Sequence, residues 1–154
     1  MHQATDRQAE GEPPSRPVSE EADRIMAIAH LPPSAHVAVI GHHSLPFVMA
    51  LLRQGCESVR SLRPGSPAPD CEPVDLAWIV DLRDERELDE ALRAARWRTG
   101  KRGRVVLEGT ACTWRNALAA VRHRALAAGL DIVSFDHAAR RLLLAPNPRR
   151  EDPT

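Results

Sequence analysis

The sequence predicts an α/β fold: a mainly parallel sheet of about six strands, with helices on both faces and a C-terminal antiparallel strand pair. Three observations predict it. Residues 36–40 (His-Val-Ala-Val-Ile) and 74–80 (Val-Asp-Leu-Ala-Trp-Ile-Val) are nearly continuous apolar runs, the texture of strands buried on both faces. Strand-like and helix-like segments then alternate three times, the pattern of parallel strands joined by crossover helices. Finally, residues 132–135 and 141–145 lie too close in sequence for a crossover and read as an antiparallel hairpin.

In chain order, residues 1–17 are polar, acidic and proline-rich, too poor in apolar surface to order themselves, and read as a disordered tail. Residues 18–146 form the α/β domain, and 147–154 a charged tail. Ser19 is placed to cap a first helix, with Glu20 and Glu21 in its first turn and Ala22, Ile25, Met26 and Ala29 at helical spacing; Pro32 and Pro33 end it. After the first strand, Ser44 can cap a second helix, Pro46 suits its first turn and Gly55 closes it. That helix, residues 45–54, carries Phe47, Val48, Met49, Leu51 and Leu52 and leaves almost no polar face, so a neighbouring helix or a partner chain must cover it.

Residues 58–62 make a weaker second strand, and 63–73, with four prolines, a loop. Asp84 opens the next helix with Glu87 three residues on, a capping-box spacing, and Leu88, Ala91, Leu92 and Ala95 give it one buried stripe. A fourth strand is expected at 104–107 after Gly103. Thr113 is placed to cap a helix with Trp114, Leu118, Val121, Ala125 and Ala128 buried, ending at Gly129.

Twenty-one basic and 21 acidic side chains give no net charge, and nothing in that total argues for nucleic acid or a membrane. The total hides a gradient: residues 1–35 carry 3 basic and 6 acidic groups, 36–90 carry 5 and 10, and 91–154 carry 13 and 5. Cys56, Cys71 and Cys112 are odd in number and form no CxxC pair, so neither a disulfide framework nor a structural zinc site is expected. A reducing, cytoplasmic setting is the expectation.

In a parallel sheet the residues just past each strand gather at one edge, where ligands bind. Here those are Gly41, His42 and His43 after the first strand, Asp81 after the third and Glu108 after the fourth, with Asp136 and His137 after the fifth. If the third strand lies beside the first, His42 and His43 face Asp81. Histidines beside carboxylates share protons or bind a divalent metal, so His42, His43 and Asp81 form the candidate metal set, and Gly41, His42, His43, Asp81 and Glu108 the candidate cofactor-binding set.

The runs at 74–80, 88–98 and 103–108, with the ending at 127–133 and 141–144, resemble the second half of a class I S-adenosylmethionine-dependent methyltransferase, a Rossmann-like fold. The resemblance covers roughly residues 20–146 and implies that fold. The family holds its cofactor with an acidic residue and a Gly-x-Gly turn after strand one, and with an acidic residue after strand two. Here those places read Gly41-His42-His43-Ser44 and Leu62-Arg63-Pro64, and the place of the family's third strand is the proline-rich loop. These departures count against S-adenosylmethionine binding and against methyl transfer. The expectation is a methyltransferase-like domain that has lost catalysis and serves as a binding or assembly module, self-associating or docking a protein partner through the apolar helix. The alternative is a small-ligand- or metal-binding enzyme using the His/acid edge.

Overall fold

The computed structural model describes residues 18–65, 73–109 and 118–147. Among them the order is α1 (Val18–Ile28), β1 (His36–Gly41), α2 (Leu45–Arg53), β2 (Ser58–Leu62), β3 (Val74–Val80), α3 (Glu85–Arg98), β4 (Thr99–Glu108), α4 (Leu118–Ala127), β5 (Leu130–Asp136) and β6 (Arg141–Pro146). The six strands form one sheet in the order β2-β1-β3-β4-β6-β5. The first four are mutually parallel, and β6 runs antiparallel between β4 and β5. The expected hairpin therefore forms, and it closes one side of a parallel sheet.

Alternation along each central strand divides the core into two layers. Val37, Val39, Leu76, Trp78, Val80 and Val106 face α1 and α2. Ile40, Ala77, Ile79, Val105 and Leu107 face α3 and α4. Residues 37–40 and 76–79 are entirely buried, which is why those strands carry no polar alternation. Right-handed crossovers explain the division. From β1 the chain moves outward through α2 to β2; from β3 it moves the opposite way through α3 to β4, so the two helices must lie on opposite faces. The winding reverses between β1 and β3.

Local chemistry fixes most boundaries. Asp84 is the N-cap of α3 and accepts the Glu87 amide at 2.8 Å, as its spacing predicts. Helix α2 ends in a Schellman motif: Gly55, at φ +93°, donates to the Leu52 carbonyl, and Cys56 to that of Leu51. Burial pushes the Cys56 thiol up, away from the reactive thiolate.

Four expectations need correction. Ser19 is not a cap; it lies inside α1, which already includes Val18. Ser44 stands at the N-cap of α2 in helical φ/ψ, a conformation that turns its hydroxyl away from the helix amides, and it pairs instead with the Ser61 hydroxyl. Strand β4 begins five residues early, because α3 runs straight into it at Thr99, whose hydroxyl donates to the Ala95 carbonyl at 2.8 Å. The fifth strand likewise starts at Leu130, with a bulge between Ile132 and Ser134. The proposed cap Thr113, with Trp114, Cys71 and Cys112, lies outside the described residues.

The end of α1 is a second Schellman motif, but with a histidine in the glycine position. His30 has φ +54°, its amide bonds to the Ala27 carbonyl and the Leu31 amide to that of Met26. A left-handed residue with a Cβ costs free energy that glycine does not. His30→Gly should therefore raise unfolding stability by about 0.5–1 kcal/mol. The urea midpoint checks this, and an unchanged or lower midpoint counts against it.

Candidate functional site

The reversal point is built on an unusually close strand contact. Gly41 closes β1 at φ +146° beside Val80, and a Cβ placed on it would lie 1.7 Å from the Val80 carbonyl oxygen. Only glycine fits there. Beyond it, the His42 amide donates to the Asp81 carbonyl at 3.3 Å, extending the β1–β3 ladder by one bond. His43 (φ +48°) and Asp81 (φ +44°) then both take left-handed backbone conformations. Such conformations in residues with side chains cost free energy and cluster at functional sites.

The side chains released by these turns pair across the crevice between β1 and β3. His42 Nε2 lies 2.5 Å from Glu87 Oε2, with side-chain exposures of 19% and 18%. His43 Nδ1 lies 2.6 Å from Asp81 Oδ2, and this pair is open to solvent, at 81% and 48%. An inner bridge thus ties β1 to the first turn of α3, and an outer one ties the two strand ends together. Glu87 is doubly used: its Oε1 also accepts the Arg83 amide at 2.7 Å. Its carboxylate sits at a helix N-terminus, where negative charge is favoured. Imidazole–carboxylate pairs of this kind hold or pass a proton, with Nδ1 of His42 and Nε2 of His43 as the nitrogens outside the two pairs.

The expected site is therefore partly assembled. Gly41, His42, His43 and Asp81 do come together. As a metal set the three side chains do not converge, because each imidazole turns to a different carboxylate. Among the described residues, no group of three or more His, Cys, Asp or Glu side chains is placed to hold a metal ion. Glu108 ends β4 at this edge of the sheet, but its side chain does not enter the crevice. It faces the α1–α2 layer, where its Oε1 accepts Trp78 Nε1 at 3.0 Å and Arg141 Nε at 2.6 Å. Arg141, 4% exposed, reaches on to Glu21 of α1. Asp136 accepts the Ala139 amide at 3.1 Å within its own turn, and the His137 ring packs edge-on against Phe135.

Two features of the structure escaped the sequence. Glu87 reads as a capping-box partner, and its spacing says nothing about His42, 45 residues away. The Glu21–Arg141–Glu108–Trp78 network joins α1, β3, β4 and β6. Its only sequence signal is an arginine opening the apolar run 141–145, a charge that needs a partner if it is buried.

No family model matches this sequence, and no curated protein matches it. Solved structures do. The CcbJ methyltransferase from Streptomyces caelestis superposes with a TM-score of 0.65 at 12% identity, over 90% of this chain and 94% of that one. A TehB-like SAM-dependent methyltransferase from Corynebacterium glutamicum gives 0.62 at 14% identity, over 94% of both chains. The glycopeptide N-methyltransferase MtfA, in complex with sinefungin, gives 0.63 at 12% identity, over 88% and 95%. The fold is that of the class I methyltransferases. Against that fold's usual pattern, the reversal point here carries two His–acid bridges in place of a Gly-x-Gly turn, and β2 ends at Leu62 with Arg63 following instead of an acidic residue.

Burial raises the pKa of Glu108 although Arg141 and Trp78 pull it down. A carboxyl whose folded pKa exceeds its unfolded one loses stability as pH rises from the unfolded value, near 4.5, to the raised folded one. Glu108→Gln should flatten the fall in stability across that window, measured as urea midpoints from acid to neutral pH. An unchanged pH profile refutes the assignment.

Proposed function

We propose that this chain is a methyltransferase-fold domain that no longer works through S-adenosylmethionine and serves as a binding or assembly module. The observation that carries the reading is the pair of bridges His42–Glu87 and His43–Asp81, which span the crevice with the chain's own side chains. The absence of a second glycine after Gly41 and of an acid after β2 supports it. Isothermal calorimetry with S-adenosylmethionine should give no saturable heat, or binding far weaker than low micromolar. Low-micromolar affinity or tighter would sink the reading.

The assembly half rests on α2. One face of this helix is buried, with Ala50 and Leu51 in the core and Phe47 edge-on to Trp78 at 4.8 Å. Helix α1 covers part of the rest through Ala22, Ile25, Met26 and Ala29. Leu45, Met49 and Leu52, at i, i+4 and i+7, stay 68%, 44% and 47% exposed. A second copy presenting the same stripe would bury both. Light scattering should then report a dimer, and Leu52→Glu should dissociate it without unfolding the domain. A native monomer at all accessible concentrations refutes this half.

A second reading draws on the left-handed backbone at His43 and Asp81, strain that a ligand site would justify. It takes the His/acid edge as a small-ligand pocket. A thermal-shift screen giving a ligand that stabilises the native chain, but not His42→Ala/His43→Ala, favours it; no such ligand removes it.

A further inference from the structure

The balanced total charge, which gave no reason to expect nucleic acid, conceals a segregated surface that begins on α3 beyond the bridged Glu87. Between Arg93 and Arg104 the chain carries six basic residues and no acid. They span the C-terminal half of α3 and the first half of β4, and Arg93, Lys101 and Arg102 are exposed. In their midst Trp97 is 74% exposed, the most open large apolar side chain among the described residues. Tryptophan is normally among the more buried residues, and nothing in the core of this fold requires one here.

The same surface continues into a groove. Arg93, one turn before Trp97 on α3, lines a cavity of about 590 Å³ between α3 and α4, with Ala120, Ala127 and Ala128 among its other lining residues. The alanines of α4 give the groove its apolar lining, and the Arg93 guanidinium borders it beside His123 and Arg124. Its acid, Asp89, is held by Arg124 Nη1 at 2.6 Å, and Glu85 by the same guanidinium at 2.7 Å. The aliphatic part of Arg96 lies along Gly129 at the end of α4, which brings that helix terminus onto the same surface.

An open indole one turn from the exposed Arg93, next to a groove lined partly by alanines, is the chemistry that holds unpaired bases and their phosphates. The ring offers a face for stacking, and the guanidinium groups neutralise the backbone. We infer that the α3–α4 face, centred on Trp97 and Arg93, binds single-stranded nucleic acid. An acidic peptide would use the arginines but has no need of the indole. Duplex DNA, whose bases are already stacked, would not reach Trp97.

The test is fluorescence anisotropy of labelled 12-nucleotide single strands, oligo(U) and oligo(dT), with the full chain at low salt. Saturable binding with quenching of tryptophan emission is expected. Trp97→Ala should weaken it roughly 5- to 100-fold, as loss of one stacked base does, while Trp97→Phe retains most of it and neither changes Tm. Arg93→Ala should lower the slope of log affinity against log salt by about 0.7, the single-strand value for one phosphate contact. Four outcomes would overturn the inference: no binding, preference for a duplex of the same length, inorganic polyphosphate binding as tightly, or affinity indifferent to Trp97→Ala. Blue-shifted Trp97 emission on phosphatidylglycerol vesicles without oligonucleotide binding would overturn it as well, and would assign the face to a membrane surface.

Discussion

The approach of β1 to β3 at Gly41 and Val80 sets everything at the crevice. With no Cβ on Gly41, the two strand ends come close enough for one further backbone bond, His42 to Asp81. The chain must then leave both strands sharply, and it does so with left-handed residues on each side, His43 and Asp81. Those turns place imidazoles over carboxylates. Two imidazole–carboxylate bridges close these turns, one of them largely shielded from solvent.

The two faces of the sheet are organised differently. On the α1–α2 face, a buried network of Glu21, Arg141, Glu108 and Trp78 ties the first helix to the last strand across 120 residues. Losing one member would leave another buried charge unpaired, so the network resists substitution whatever its net contribution. On the α3–α4 face the core cluster is aliphatic; Arg98 is buried at the end of α3, while Arg124 pairs with Glu85 and Asp89 nearer the surface and Arg93 borders the groove. Methyltransferase folds keep the sheet, while the residues past its strands change with the task.

The fold was legible because its signals are periodic and local. Continuous apolar runs identified β1 and β3, the Asp84–Glu87 spacing identified the start of α3, and glycines 55 and 129 marked helix ends. Capping by Ser19 and Ser44 was misread because hydroxyls compete for several partners, and Ser44 found Ser61 across the β2 edge. The candidate site was half legible. Topology alone brings His42, His43 and Asp81 to one edge. Which carboxylate each histidine takes depends on α3 placing Glu87 within reach, and on Glu108 facing the opposite layer, neither of which a linear pattern records.

The most direct measurement of the central claim is a double-mutant cycle on the inner bridge. Unfolding free energies of the native chain, His42→Ala, Glu87→Ala and the double variant give the coupling between β1 and α3. If the crevice is held closed by this pair, the two changes should be non-additive by about 1–3 kcal/mol in favour of the native pair. Additivity to within about 0.5 kcal/mol would mean that the crevice is not held by its own side chains, and would reopen it to a cofactor.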